Sequence, residues 1–199
     1  AVKQHIMDFV NGIAYDPNNR VDWRIGFIGH YHGRFFIRSF TADPTAFSNA
    51  LRNIKTARKN EFTLPGLDWA LDFEWREKVH KIVIVFTDES LKAGAFPEEQ
   101  RSKMELLGAK INGLHAKVFY YGASCPEYRA FFSTSVKRAS YNEVELKTLG
   151  RDEMRKVLER IGMSVSDITR GSQQSAVSTF KRDIYGINGR TGFVVVKFK

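Results

Sequence analysis

Lys81-Ile82-Val83-Ile84-Val85-Phe86-Thr87-Asp88-Glu89-Ser90 is the stretch on which the fold turns. Five consecutive apolar residues, four of them β-branched, end abruptly in Thr-Asp-Glu-Ser. A run without polar alternation reads as a strand buried on both faces, as in the interior of a parallel sheet. Asp88 then falls at the carboxyl end of that strand. In open α/β sheets ligands bind at that edge. A carboxylate there needs solvent or a partner, and a cation is one such partner. An Asp that only caps the turn after a strand fits the same residues.

Elements on either side of this strand follow from periodicity. Val2, Ile6, Phe9, Val10 and Ile13 recur at helical spacing, and Asp16-Pro17-Asn18-Asn19 ends that helix. Trp23 to Tyr31 reads as a strand, His32-Gly33 as a hairpin turn and Arg34 to Phe40 as the returning strand. Pro44 opens a helix expected to run to about Arg58. Glu61 to Gly66 reads as a loop, followed by a short helix with Leu67, Ala70 and Leu71 inward. Beyond Ser90, Pro97 opens a helix carrying Met104, Leu107 and Ile111. His115 to Tyr121 and Asn142 to Lys147 read as strands, and Glu127 to Val136 as a short helix or irregular segment. Met154, Val157, Leu158 and Ile161 mark a helix over 151–164. The polar stretch from Asp167 reads as a linker over 167–179. Asn188-Gly189 and Thr191-Gly192 point to a β-hairpin extension over 180–199, closing with Phe193-Val194-Val195-Val196. The order predicts an α/β domain over 1–166: a doubly wound, mostly parallel sheet with one antiparallel edge strand.

Composition limits the function classes. A chain of 199 residues, 43% hydrophobic and with 16 Phe, supports one sizeable core. A single cysteine, Cys125, excludes an internal disulfide framework and suits a reducing compartment, so a cytoplasmic location is expected. No run approaches the roughly 18 apolar residues of a membrane span, and no membrane partner is expected. The net charge of +9 suits an anionic partner, but the basic residues are scattered and serve solubility equally well.

Three local patterns, in order, resemble the von Willebrand factor type A domain. Lys81 to Asp88 is similar to that family's fourth strand, which ends in Thr-Asp-Gly; Glu89 stands here in place of the Gly. Phe62-Thr63-Leu64-Pro65-Gly66-Leu67-Asp68-Trp69-Ala70-Leu71 resembles its Gly-Gly-Thr-x-x-x-x-Ala-Leu loop and helix. Trp23 to Phe40 resembles its second and third strands with their tight turn. The resemblance covers residues 1–166.

The resemblance implies a metal-ion-dependent adhesion site built from three loops at the carboxyl edge of the sheet. Thr63 matches the Thr of the second loop and Asp88 the Asp of the third. Hydroxyl, carboxylate and water oxygens would surround a hard cation such as Mg²⁺, leaving one position for an acidic residue of a partner protein. Glu89, Ser90, Leu91 and Phe96 would form the rim that meets this partner. The first loop, Asp-x-Ser-x-Ser, does not occur in this sequence. The family's first strand and this loop would lie before the helix at Ala1. Three accounts follow: a segment outside the sequence supplies them; another strand, such as Gly192 to Phe198, fills the gap in a permuted arrangement; or the metal site has been lost and the fold kept. Mg²⁺ is expected only where an Asp-x-Ser-x-Ser segment completes the site.

Other constellations are weaker. His30 and His32, at i and i+2, could chelate a metal or merely flank a turn. His5, His80 and His115 are scattered and read as structural or solvated. Cys125 has no neighbouring base in sequence, and Asp68/Asp72 at i, i+4 suit a solvated helix face, so no catalytic residue is assigned and no enzyme activity is expected. In the tail, Arg182, Arg190, Lys197 and Lys199 interleave with aromatics, as in single-strand nucleic-acid clamps or in an amphipathic hairpin packed on the domain. The expected function is a protein–protein interaction module acting at the carboxyl edge of the sheet. The alternative is a basic nucleic-acid-associated module on the same fold.

Overall fold

A computed structural model describes residues 2–15, 22–31, 34–54, 62–93, 96–146, 148, 150, 152–161 and 191–198. In chain order the elements are α1 (Val2–Tyr15), β1 (Trp23–Tyr31), β2 (Arg34–Thr41), α2 (Pro44–Asn53), α3 (Thr63–Leu71), β3 (His80–Thr87), α4 (Pro97–Ser102), α5 (Met104–Gly113), β4 (Lys117–Gly122), α6 (Pro126–Ala130), β5 (Ala139–Glu143), α7 over 152–161 and β6 (Thr191–Phe198). The fold is mixed α/β. The six strands form one sheet in the order β2-β1-β6-β3-β4-β5. Among the described residues only the β1–β2 pair is antiparallel.

The apolar run works as its composition requires. Ile82 to Phe86 are all at most 1% exposed. Alternation sends Val83 and Val85 to one face and Ile82, Ile84 and Phe86 to the other. On the first face they pack with Leu64 and Leu67 of α3, Leu107 and Ile111 of α5 and Tyr128 of α6. On the second they meet Ile6 and Val10 of α1, Phe47 and Leu51 of α2 and Met154 and Ile161 of α7. Helices therefore cover both faces, and a strand with no polar side chain between its ends is satisfied by position.

The structure corrects several expectations. The largest concerns the tail. β6 is not one limb of an appended hairpin over 180–199. It lies between β1 and β3, parallel to both, with Val194 opposite Gly26 on one side and Val83 on the other. The expected linker over 167–179 and the Asn188-Gly189 turn lie outside the described residues, as does the His32-Gly33 turn. The loop expected to continue to Gly66 is already helical from Thr63. Pro65 is tolerated because it sits in the first turn, where its missing N–H has no helical acceptor to lose. α2 ends at Asn53, with Ile54 extended, not at Arg58. The helix expected from Pro97 is divided at Lys103 into α4 and α5. The strand at the far edge of the sheet, β5, runs over Ala139–Glu143, not Asn142 to Lys147. Its place is set by parallel pairing with β4, Tyr141 opposite Tyr120, whose rings stack 4.8 Å apart.

Two local devices fix the chain near the edges. Asp43 Oδ1 accepts from the Thr45 and Ala46 N–H groups at 2.8 and 3.1 Å, and Pro44 occupies the first turn, so α2 starts sharply after β2. A bulge between β1 and β2 shifts the register between Ile25–Thr41 and Phe27–Arg38. At Gly26 an added Cβ would come within 2.6 Å of the Phe73 ring and 2.8 Å of the Arg38 carbonyl oxygen, so only glycine allows this approach. No helix among the described residues is long and apolar enough to cross a membrane.

Candidate functional site

Because β1, β6, β3, β4 and β5 run parallel, their carboxyl ends share one edge. The centre of that edge is the end of β3. Thr87 is fully buried there, and its Oγ1 lies 3.2 Å from Oγ1 of Thr63, the first residue of α3. The two hydroxyls satisfy each other where the strand stops and the helix begins. Thr87 Oγ1 also accepts from the Glu89 N–H and lies within donating reach of the Glu89 carbonyl, both at 3.4 Å. This short loop bonding turns the chain directly after the strand and sets Asp88 at its apex.

Neighbouring strands hold the edge closed. Gly122 ends β4 opposite Thr87. An added Cβ on Gly122 would meet the Thr87 carbonyl oxygen at 2.3 Å and the Tyr120 hydroxyl at 2.7 Å. The Ala123 N–H donates to that same Thr87 carbonyl at 3.3 Å. On the helix side, Gln100 of α4 is buried and its Oε1 accepts from the Leu64 N–H at 3.2 Å. This side chain takes one of the donors that every helix start leaves without a helical acceptor. Gln100, 36 residues away in sequence, thus caps the helix that carries Thr63.

The expected rim is brought together in part. Asp88, Glu89 and Ser90 are each half-buried at the edge. Phe96 is 66% exposed, with φ at 48°, a left-handed backbone that a bulky residue adopts only under constraint. Its ring lies 5.9 Å from that of Phe62, which lies 5.8 Å from Phe35, itself 4.2 Å from Trp69. An aromatic file therefore leads away from the edge. Leu91 does not belong to the rim. It is fully buried in the core, and its N–H donates to Cys125 Sγ at 3.4 Å. A short 3-10 turn at Leu91–Ala93 folds this leucine under the loop and so fixes the loop's base.

Thr63 and Asp88 thus share one edge, and the donor chemistry is hydroxyl and carboxylate oxygen. Two such donors are fewer than the six or so that Mg²⁺ requires, and the described residues at this edge do not by themselves fit the ion. Among the described residues, no group of three or more His, Cys, Asp or Glu is arranged to hold a metal. Of the histidines, His32 lies outside the described residues. His80 is partly buried, and burial, with the Arg138 charge second, pushes its pKa down.

Cys125 is fully buried, and burial pushes its thiol pKa up, the reverse of what activates a nucleophile. Its backbone N–H donates to Tyr141 Oη at 3.0 Å, and Tyr141 Oη in turn donates towards the Cys125 carbonyl at 3.2 Å. These bonds tie the start of α6 to β5. Asp68 and Asp72 both ion-pair with Lys110 of α5, at 2.6 and 2.8 Å, and so join two helices. Of the tail cations, Arg182, Arg190 and Lys199 lie outside the described residues. Lys197 occupies a register position near the carboxyl end of β6, between Gly29 and Phe86.

Sequence reasoning missed Thr87 and Gln100. Thr87 was legible only as the end of a strand, and Gln100 as one polar residue of a helix. Comparison with protein-family models, with curated proteins and with solved structures finds no match to this chain.

Proposed function

We propose that this protein is a protein–protein interaction module of the von Willebrand type A kind, doubly wound, binding a partner at the carboxyl edge of its sheet. The convergence of Thr63 and Thr87 beneath Asp88 carries this reading. The sheet order supports it as well. In the order β2-β1-β6-β3-β4-β5, β6 takes the seat that the resemblance reserves for the family's first strand. On this reading the arrangement is the permuted one, with the tail strand filling the centre of the sheet. Glu89, Ser90 and the exposed Phe96 form the rim, one acidic, one hydroxylic and one aromatic. A bridging Mg²⁺ belongs to this reading only where three further oxygen ligands join Thr63 and Asp88.

The test is retention of a binding partner by the wild type, Asp88→Ala and Leu106→Ser, each with and without EDTA. The proposal expects Asp88→Ala to lose the partner. Leu106→Ser, at an exposed position on α5, keeps it. Loss of the wild-type complex in EDTA assigns a bridging cation as well. Full retention by Asp88→Ala overturns the edge as the binding site.

The net charge of +9 supports a second reading, association with nucleic acid through phosphate contacts. Its signature is affinity that falls linearly with salt on logarithmic axes. No retention of single-stranded nucleic acid at low salt removes it.

A further inference from the structure

The amino ends of β3, β4 and β5 lie at the other end of the strands from Asp88, and cations gather there. From Leu106 to Asn142 the chain carries Lys110, Lys117, Arg129, Lys137 and Arg138 against one acid, Glu127. Glu127 and Arg129 belong to α6, beyond the carboxyl end of β4, and Lys110 is held by Asp68 and Asp72. Lys117 starts β4, and Lys137 and Arg138 lead directly into β5. A fixed turn presents them. Asn112 of α5 donates from Nδ2 to the Ser135 carbonyl at 2.8 Å and accepts at Oδ1 from the Lys137 N–H at 2.9 Å. One side-chain amide thus ties the turn before β5 to the end of α5. Arg138 Nη1 donates to the His115 carbonyl at 3.2 Å, and Lys117 Nζ lies over the Phe119 ring, 4.8 Å from its centre. Val118 pairs with Ala139, so Lys117 and Arg138, the residues before them, fall side by side on neighbouring strands about 5 Å apart. The Arg138 charge reaches His80 at the start of β3, where it adds to burial in lowering that pKa. Lys137 and Arg138 are exposed, and among the described residues no carboxylate ion-pairs with either. Like charges this close repel, and an anion that spans them relieves the repulsion.

The surroundings select among anions. A membrane surface takes apolar side chains beside basic ones. The exposed large apolar side chains among the described residues are Phe36, Ile37, Trp69, Phe96 and Leu106, and none stands at the amino ends of β3, β4 and β5. An extended acidic peptide sets a carboxylate on one face only about every 7 Å. A nucleic-acid strand carries a phosphate at every nucleotide, and each one neutralised releases condensed counterions. With no exposed Phe or Trp at hand for a base to stack on, the contact is to the backbone. We infer that the amino edge of β3, β4 and β5 is a phosphate-backbone site for nucleic acid, engaged by Lys117, Lys137 and Arg138. This inference gives a place to the nucleic-acid reading and rests on it; it does not depend on Asp88, at the opposite end of the strands.

The test is fluorescence anisotropy of the whole protein with a labelled single-stranded oligo(dT) of roughly 20 nucleotides, between about 50 and 200 mM salt. Wild type is expected to bind with a Kd on the order of 10 μM or tighter at the lower salt. Lys137→Gln with Arg138→Gln should weaken binding about tenfold or more and reduce the salt slope by roughly 1.4, two phosphate contacts' worth. Arg52→Gln with Lys92→Gln removes the same charge from exposed positions on α2 and on the turn after β3, and should weaken binding by less than about twofold. Arg138→Lys, which keeps the charge, should bind as wild type does, and so should Asp88→Ala. No binding by wild type removes the nucleic-acid reading and this site together. Equal weakening by the two double variants leaves that reading to the net charge and overturns the site. A loss in Arg138→Lys as large as in Arg138→Gln also overturns it, since the guanidinium would then serve the fold alone. So does displacement of the oligonucleotide by polyglutamate as effectively as by unlabelled oligo(dT), which would assign the edge to an acidic protein.

Discussion

The Thr63 and Thr87 hydroxyls lie 3.2 Å apart, both shut off from solvent, where α3 begins and β3 ends. Each is the other's polar partner, and together they fix the height of the helix against the strand that carries Asp88. Removing one hydroxyl therefore leaves a buried oxygen short of a bond. Thr63→Val and Thr87→Val should each cost about 1–3 kcal/mol. Thr87→Val should cost more, since Thr87 also serves the Glu89 backbone. The double variant should lose less than the sum, because both polar atoms leave together. Urea unfolding of all four proteins measures this, and strict additivity would mean the two hydroxyls do not interact.

Gly122→Ala should be among the most damaging single-atom additions. The new Cβ meets the Thr87 carbonyl oxygen at 2.3 Å and Thr87 Cγ2 at 2.9 Å, and neither is the far end of a flexible chain. The end of β4 must move away from β3, at a cost of about 1–3 kcal/mol. Gly113→Ala, with nothing within 4 Å of its added Cβ, is the matched control. Thermal unfolding should separate the two.

Acid should weaken the fold partly through His80. Burial, and then the Arg138 charge, holds its folded pKa below the ordinary value of 6.5. A lowered pKa contributes stability that is present above the unfolded value and lost as pH falls through the folded one. Unfolding midpoints should therefore drop as pH is taken from roughly 7 to 5. His80→Gln should flatten that limb. An unchanged slope in the variant would assign the acid limb to other groups.

The central seat of β6 predicts its hydrogen exchange. With β1 on one side and β3 on the other, the amides of 193–196 should exchange about as slowly as those of Val83 to Val85. Fast exchange of β6 beside a protected β3 would contradict the sheet order.

The strand Lys81 to Thr87 was legible because its signal is local: an apolar run long enough for a strand, with nothing to alternate. The same signal stands in Phe193-Val194-Val195-Val196, and it marks β6 as a strand. What that run does not carry is its neighbours: the Asn-Gly dipeptide nearby argued for a hairpin, and a seat in the gap of the sheet for Gly192 to Phe198 was one of three accounts that the resemblance left open. Pairing between residues 26, 194 and 83 is a long-range fact that no local pattern encodes. Strand β5 was displaced for a related reason. Ser140, Tyr141 and Asn142 have no apolar alternation, and their register comes from Tyr120 and its neighbours on β4. At the site, Asp88 and Thr63 were legible through the resemblance. Thr87 and Gln100 matter only once α3 and α4 are packed against the end of β3. Leu91 shows the converse error: a leucine in an edge loop reads as a rim contact, yet a 3-10 turn carries it into the core.

Photocrosslinking from the rim tests the central claim most directly. Benzoylphenylalanine is placed at position 96, beside the carboxyl edge, and separately at position 106 on α5. Both native side chains are well exposed, at 66% and 74%. The account predicts a defined crosslinked partner from position 96, absent from position 106 and lost when Asp88→Ala is added. Equal capture from both positions, or capture from position 96 that persists in Asp88→Ala, would contradict it.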